Sequence, residues 1–380
     1  MKRNIYHIFL RFSVRFIKRT ACVFLGIVIA LLIGEFVVRI FFPQITYEGG
    51  EAYLDTKYFD LKANFKGVFR HPDYEYTATT DEHCLRTTQN LSDGPCELSV
   101  LVLGDSFAFG MGVSDKDTFS SVIAKELYKA GIKARVSNGG VPAYSLTEMR
   151  YKYLRIKNAV NPDIIVVTAS FNDWVATMID YENFYNQNDN IYEKYRYLAA
   201  SRKNTGIWDR CYPKVRDILL SNSQLAVFTA IRLNELLIKL GVRSSFKSTI
   251  KAYDPNARNK EKVRNNQVKR VLSDLYKDIY TEGKIGVFVY IPGIVEVNND
   301  LWEAVIKKEG RRLKRDLPRV FLLEAAKEAG FKYIIDPLQN PEGIERLKNG
   351  YFPVEMHLNI DGNKYVGEII ADKIKEINKP

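Results

Sequence analysis

Apolar residues occur along this chain in two patterns. One long apolar run fills residues 21–42, and only Glu35 and Arg39 interrupt it. After residue 98 the apolar runs are short and rich in β-branched residues, and segments with helical spacing separate them. About 20 apolar residues cross a bilayer as a helix, so the long run predicts a transmembrane helix. The short runs predict strands of an α/β domain whose parallel sheet is buried on both faces.

The alternation after residue 98 predicts five strands, with helices between them, in one three-layer domain. In the first helix the apolar residues recur at helical spacing, with Asp117 as the expected N-cap and Gly131 as the expected end. The expected strands are 98–103, 134–138, 164–169, 285–292 and 333–336, and the expected helices are 117–130, 146–159, 319–329 and 361–377.

The pattern divides the chain into four parts, with a basic tail at 1–20 and an anchor at 21–42. Residues 43–97 are polar and aromatic without clear periodicity, and they are expected to pack as a lead-in segment on the face of the domain at 98–380.

A largely helical insertion is expected within that domain at about 175–283. It contains an apolar helix candidate at 225–240 and an amphipathic one at 261–282. These helices are expected to pack on the main domain as a lid; a surface that meets lipid headgroups or a partner is the alternative.

Charge is distributed unevenly around the long apolar run. Residues 1–20 hold six Lys and Arg residues and no acid, whereas the acidic residues Glu48, Glu51, Asp55 and Asp60 follow the run. The positive-inside rule therefore predicts a cytoplasmic N-terminus and a domain outside the cytoplasm. A cleaved signal peptide is the rival interpretation, but its apolar region is shorter and ends in a small-x-small site.

The net charge of +11 is local, so it does not indicate a nucleic-acid partner. Besides the N-terminal tail, a basic cluster lies around residues 243–270, where a solvated helix face is the simplest explanation. Cys84 and Cys96 are 12 residues apart, and the sequence leaves open whether they form a disulfide. No cysteine or histidine spacing in the chain suggests a structural metal site.

The first predicted strand leads into Gly104-Asp105-Ser106 and then a helix. Such a turn exposes a serine hydroxyl at the carboxyl edge of a parallel sheet, where open α/β folds place their chemistry. A serine needs a base to remove its proton, and His357 is a suitable base, with Glu355 able to orient its ring.

The oxyanion that forms on attack needs hydrogen-bond donors. Gly140 follows the second predicted strand and offers an unhindered backbone N–H. Asn172 follows the third and offers a side-chain amide. Because parallel strands end at one edge, these donors are expected near Ser106.

Four motifs in this order resemble the SGNH/GDSL hydrolase family, over about residues 98–174 and 285–375. The matching segments are Gly104-Asp105-Ser106-Phe107, Asn138-Gly139-Gly140, Ser170-Phe171-Asn172-Asp173 and Glu355-Met356-His357-Leu358-Asn359. The resemblance implies a flavodoxin-like α/β/α fold with no metal or other cofactor. It also implies Ser106 as nucleophile, His357 as base, and the Ser106 N–H, Gly140 and Asn172 as oxyanion hole.

The sequence departs from the family pattern at two positions. Ser170 stands where the family has glycine, and Glu355 stands where it has aspartate, so the site is either a Ser–His–Glu triad or a Ser–His dyad. The resemblance implies a membrane-tethered esterase that acts on acyl-ester substrates, among them acylated cell-envelope polysaccharides. An O-acyltransferase with the same residues and an inactive binding protein of the same fold are the alternatives.

Overall fold

The protein is described from a computed structural model. The described residues are 2–42, 54–55, 60–71, 73–91, 95–177, 215, 218–219, 222–239, 250–256, 262–309, 313–353 and 355–379. Most of the expected insertion, including residues 178–214 and Cys211, lies outside the described residues, and so does the lead-in at 43–53. The chain divides into a unit of Met1–Tyr47 with Gly206–Arg243 and a larger unit of Glu48–Thr205 with Ser244–Pro380.

Nine described strands belong to the larger unit. Two form a small antiparallel pair, two form an antiparallel hairpin, and five form a parallel sheet. They are β1 (Leu54–Asp55), β2 (Asp60–Leu61), β3 (Lys66–His71), β4 (Tyr74–Thr79), β5 (Leu98–Gly104), β6 (Ala134–Gly140), β7 (Ile164–Ser170), β8 (Ile285–Ile291) and β9 (Tyr333–Ile335).

The described helices include four short ones of four residues each. They are α1 (Lys2–Phe41), α2 (Ser106–Phe109), α3 (Phe119–Lys129), α4 (Leu146–Val160), α5 (Asp173–Ala176), α6 (Gln224–Lys239), α7 (Ile250–Tyr253), α8 (Lys262–Thr281), α9 (Ile294–Val297), α10 (Asn299–Glu309), α11 (Leu317–Ala329), α12 (Pro341–Lys348) and α13 (Ile360–Ile377).

The parallel sheet has the strand order β6-β5-β7-β8-β9. The crossover connections place α3 on one face, where it packs against α13, and α4, α8 and α11 on the other. Strand β7 is buried along its whole length, as its continuous apolar run indicates. The predicted three-layer α/β/α fold with five parallel strands is therefore confirmed.

Local differences from the prediction have simple causes. Asp117 does not cap α3, because it lies in the 3₁₀ turn Asp115–Asp117; Thr118 is the N-cap, and its hydroxyl accepts from the Ser121 N–H.

Helix α8 starts within the expected insertion, yet it buries one apolar face against α4, α11 and β8. Cys84 and Cys96 are not joined by a disulfide.

The lead-in segment contains a hairpin that the sequence analysis missed. β3 and β4 pair in register from Lys66 opposite Thr79 to His71 opposite Tyr74. Phe69 and Tyr76 stack at 5.0 Å on the buried face of this hairpin. The large number of aromatic residues obscures the alternation that normally identifies strands.

Arg86, at the end of the lead-in segment, is fully buried and joins that segment to the sheet. Its backbone N–H donates to Asn138 O at 2.9 Å. Its guanidinium donates to the carbonyls of Phe109, Gly110 and Val113 at 2.5–2.6 Å and to Asp115 Oδ1 at 2.9 Å. The three carbonyls belong to the last residue of α2 and to the turn that follows it, so Arg86 fixes the C-terminal end of the short helix that begins at Ser106.

In the smaller unit, α1 includes a stretch from Lys18 to Phe41 that contains an 18-residue window with a mean hydropathy of 2.7. Its 24 residues are enough to cross a membrane, and little of its surface is buried in the protein. Helix α6 packs against α1 within this unit.

Replacing Arg86 by methionine should lower the free energy of unfolding by about 3–5 kcal/mol, because it removes the guanidinium that donates to three buried carbonyls and pairs with Asp115. Arg70→Met is the matched control, since Arg70 and its partner Glu75 are both exposed and such pairs contribute less than about 1 kcal/mol. Urea unfolding followed by near-ultraviolet circular dichroism measures both. Equal losses for the two variants would show that Arg86 has no such role.

Candidate active site

Ser106 is the first residue of α2, and only Asp105 separates it from the carboxyl end of β5. The turn between strand and helix is tight: a Cβ on Gly104 would lie 2.0 Å from Thr168 Oγ1, so only glycine fits. Asp105 caps α2 by accepting the Phe107 N–H at 2.9 Å. The Ser106 N–H lies in the first helical turn, where backbone N–H groups have no intrahelical acceptor.

His357 lies in the loop between α12 and α13, and its ring is held from both sides. Nε2 is 2.6 Å from Ser106 Oγ, and Nδ1 is 2.5 Å from Glu355 Oε2. The Phe107 ring lies 4.8 Å from the imidazole, measured between centroids. The structure therefore brings together all three predicted catalytic side chains, and the longer glutamate reaches the imidazole directly.

The loop that carries Glu355 and His357 is closed on itself. Phe352 N–H donates to His357 O at 2.9 Å, and Met356 N–H donates to Phe352 O at 3.0 Å. Met356 has φ +68°, in the left-handed region that non-glycine residues rarely adopt. This turn at Met356 places Glu355 and His357 on the same side of the loop.

The β3–β4 hairpin supports this loop from outside the sheet. Asp73, in the hairpin turn, accepts the Glu355 N–H at 2.7 Å through its Oδ2. The Tyr74 and Phe352 rings are 5.1 Å apart. Asp73 thus fixes the backbone of Glu355, a role that no motif in the sequence identifies.

Asn172 lies after β7, in a cluster of buried polar groups. Its Nδ2 donates to Asp105 Oδ2 at 3.1 Å, which leaves its second amide hydrogen for another acceptor. Ser170 Oγ is within hydrogen-bond distance of Asp105 Oδ2 (3.3 Å), Asp173 Oδ2 (3.4 Å) and Asn172 Oδ1. The hydroxyl of Ser170 therefore adds a donor to this cluster, which glycine at this position cannot do.

Burial changes the ionisation of the two carboxyl groups in this cluster. It raises the pKa of Asp105, against the hydrogen bonds from Phe107 and Asn172. It raises the pKa of Asp173 well above its ordinary value, and the nearby Asp105 adds to that shift. The cluster therefore favours protonated carboxyl groups beside Asn172.

Gly140 lies at the end of β6, and its backbone N–H donates to Asn138 Oδ1 at 2.9 Å. Its role as an oxyanion donor stays a prediction. A Cβ on Gly140 would lie 2.2 Å from the Phe109 N atom. Glycine is required at this position because the end of β6 packs against α2. The oxyanion-donor roles of the Ser106 N–H and Asn172 Nδ2 likewise stay predictions.

A small cleft of about 210 Å³ opens beside Ser106 and His357. Its walls are mostly apolar and come from the loop after β7, from α7 and from the start of α9. They include Phe171, Tyr253, Ile294 and Val295.

Behind this wall, Glu296 is buried and its carboxylate accepts from the Tyr290 hydroxyl (2.8 and 2.9 Å) and the Gly293 N–H (3.2 Å). Burial raises the pKa of Glu296 to about 8, so it holds a proton at neutral pH.

The geometry suits acyl transfer through serine. A hydroxyl, an imidazole and a carboxylate are aligned by two short hydrogen bonds, and an apolar cleft lies beside the hydroxyl. In this arrangement the imidazole takes the serine proton and the carboxylate stabilises the imidazolium that forms.

No protein-family model matches the chain, and no curated protein matches it in sequence. Among solved structures it is similar to LAE5, an alpha/beta hydrolase from the metagenome of Lake Arreo in Spain. Their identity is 10% and the TM-score 0.41, over 75% of this chain and 99% of LAE5.

It is also similar to Axe2, an acetylxylan esterase from Geobacillus stearothermophilus, with 12% identity and a TM-score of 0.39, over 73% of this chain and 94% of Axe2. The similarity to the lipase/acylhydrolase from Enterococcus faecalis has 13% identity and a TM-score of 0.39, over 75% and 98%. These neighbours are α/β hydrolases of the SGNH/GDSL type.

Glu355→Gln should slow the reaction of Ser106 with a fluorophosphonate by about 10⁴-fold, because a glutamine does not stabilise the imidazolium. Labelling followed by peptide mass spectrometry measures the rate at Ser106. Glu75→Gln, an exposed carboxylate of the hairpin, serves as control. An unchanged labelling rate in Glu355→Gln would mean that the site works as a dyad.

The proton on Glu296 predicts a pH dependence of stability. Because the folded pKa of about 8 exceeds the ordinary value of 4.5, the unfolded chain loses this proton first as pH rises. The contribution of Glu296 is therefore fully present below about pH 4.5 and is lost as pH rises through about 8. Glu296→Gln imitates the protonated form, so its stability should improve relative to the natural protein over this range. Urea unfolding at several pH values measures this difference, and the exposed Glu303→Gln should show none.

Proposed function

We propose that the protein is a membrane-anchored serine esterase that hydrolyses O-acyl groups, acetyl above all, outside the cytoplasm. The observation that carries this proposal is the alignment of Ser106, His357 and Glu355 through hydrogen bonds of 2.6 and 2.5 Å. The substrates are acylated carbohydrates or lipids of the cell envelope.

Catalysis begins when Ser106 Oγ attacks the ester carbonyl carbon and His357 Nε2 takes its proton. The Glu355 carboxylate stabilises the imidazolium through Nδ1. The negative charge on the carbonyl oxygen is stabilised by the Ser106 N–H and the free hydrogen of Asn172 Nδ2, and each such donor contributes roughly 10²–10³-fold to turnover.

The tetrahedral intermediate collapses as His357 gives its proton to the leaving alcohol oxygen, which leaves the acyl group on Ser106. A water molecule then attacks this acyl group, again with His357 as base, and Ser106 recovers its proton as the free acid leaves. An inactive binding protein of the same fold, the alternative, would not require a serine, an imidazole and a carboxylate joined by hydrogen bonds.

The small cleft supports a short acyl group. Its volume of about 210 Å³ and its aromatic and β-branched walls fit an acetyl group better than a long chain. The carrier of the acyl group lies outside this cleft.

The membrane anchor in this proposal rests on α1 and on charge. The apolar stretch of α1 is long enough to cross a bilayer, and six basic residues without an acid precede residue 21. This distribution supports an N-terminus in the cytoplasm and an active site on the other side of the membrane.

Ser106→Ala should reduce hydrolysis of p-nitrophenyl acetate by about 10⁶-fold without unfolding the protein, because the nucleophile is lost. Ser99→Ala, in the same strand β5, is the matched control and should keep full activity. The assay uses the full chain in detergent, with circular dichroism to verify the fold. Retained activity in Ser106→Ala would refute the proposal. Faster hydrolysis of p-nitrophenyl octanoate than of p-nitrophenyl acetate would refute the preference for a short acyl group.

A further inference from the structure

Two charged residues, Glu35 and Arg39, interrupt the apolar run 21–42 within α1. Arg39 Nε donates to Glu35 Oε1 at 2.7 Å, one helical turn away. Charges in the hydrocarbon region of a membrane are costly and are normally paired or used. The ion pair with Arg39 neutralises Glu35 but does not use all of its acceptor capacity.

The remaining acceptor capacity of Glu35 is used by the start of α6, 188 residues away. Glu35 accepts the Ser223 hydroxyl at 2.7 Å, the Gln224 N–H at 3.0 Å and the Leu225 N–H at 2.9 Å. These backbone N–H groups belong to the first turn of α6 and have no acceptor within their own helix. The carboxylate of α1 therefore caps α6.

The position of Glu35 along α1 determines how deep in the bilayer the start of α6 lies. Glu35 lies six residues before Phe41, the last residue of the apolar stretch, which is about 9 Å along the helix. Leu225 packs on Gly34: a Cβ placed on Gly34 would lie 3.1 Å from Leu225 Cδ2. The Phe228 and Phe42 rings are 5.7 Å apart. The start of α6 thus lies beside the C-terminal part of the span, at a level that the span reaches before its last residue, Phe41.

The chain around this contact is suited to lipid. Residues 218–231 contain no Asp, Glu, Lys or Arg. Ile218 and Leu219 are 64% and 50% exposed, and an apolar groove of about 950 Å³ is lined by this segment and by α1 residues such as Val28 and Leu32. In water such a surface would be unfavourable, but beside a membrane span it is the surface that acyl chains cover.

We propose that Ile218, Leu219 and residues 222–230 form a membrane-embedded segment that docks on the transmembrane helix through Glu35 and is covered by lipid acyl chains. The segment lies in the half of the bilayer that contains the C-terminal end of the span. This inference rests on the membrane anchor of the proposed function. It assigns a second contact with the bilayer, made by a part of the chain far from α1 in sequence.

The test is the depth of single spin labels in the full chain, reconstituted in vesicles of phosphatidylcholine and phosphatidylglycerol. Native cysteines are replaced by alanine, and one cysteine is introduced at a time. Leu219→Cys probes the segment, Leu32→Cys is the reference in the span, and Tyr128→Cys on α3 is the reference in water. Power saturation compares access by oxygen, which concentrates in lipid, with access by a water-soluble nickel chelate.

The label at position 219 should prefer oxygen over nickel, as the label at position 32 does, and differ from the label at position 128. A nickel preference at 219 with an oxygen preference at 32 would overturn the embedded segment and leave the anchor intact. A nickel preference at both 219 and 32 would overturn both, since position 32 reports only on the anchor.

A double variant tests the role of the cap. Glu35→Leu with Arg39→Leu makes the span more apolar, so the label at position 32 should keep its oxygen preference. The label at position 219 should shift towards nickel, because the Gln224 and Leu225 N–H groups lose their acceptor. An unchanged label at 219 would overturn the docking role of Glu35.

Discussion

The imidazole of His357 is held by two hydrogen bonds that come from different parts of the fold. Ser106 reaches Nε2 from the end of the first sheet strand, and Glu355 reaches Nδ1 from the same loop as the histidine. Both distances must be short at once, so the sheet and the C-terminal loop have to be fixed relative to each other. Arg86 fixes the chain after Ser106, and Asp73 fixes the backbone of Glu355. The segment before the sheet therefore supports both ends of the catalytic arrangement.

The sequence is informative wherever a local pattern determines the structure. The sheet strands were predictable because each is a short apolar run followed by a turn, and Ser106 was predictable because it follows the first of them. His357 was predictable through its motif. The geometry around Glu355 was not, because whether a glutamate two residues away reaches the ring depends on the turn at Met356, with its φ of +68°.

Other features depend on contacts between distant residues, and no local pattern indicates them. Asp73 acts on Glu355, 282 residues away, and nothing in its neighbourhood suggests that role. Gly140 shows a related point: its motif predicts a catalytic role, while close packing on Phe109, a contact between distant residues, requires glycine there in any case. Thr118 replaced Asp117 as the cap because one 3₁₀ turn intervenes, a shift of a single residue that sequence patterns rarely resolve.

The contact between the hairpin turn and Glu355 means that the catalytic residues and the part of the chain needed for catalysis are not the same set. Every residue of the Ser–His–Glu arrangement lies after position 97, and so does the whole parallel sheet. A chain shortened to begin at that point would retain all of them and would still have the information to form its sheet. It would lack Asp73 and Arg86, however, so neither the backbone of Glu355 nor the turn that carries Ser106 would be held in place. The boundary of the functional enzyme therefore lies before the boundary of its recognisable fold.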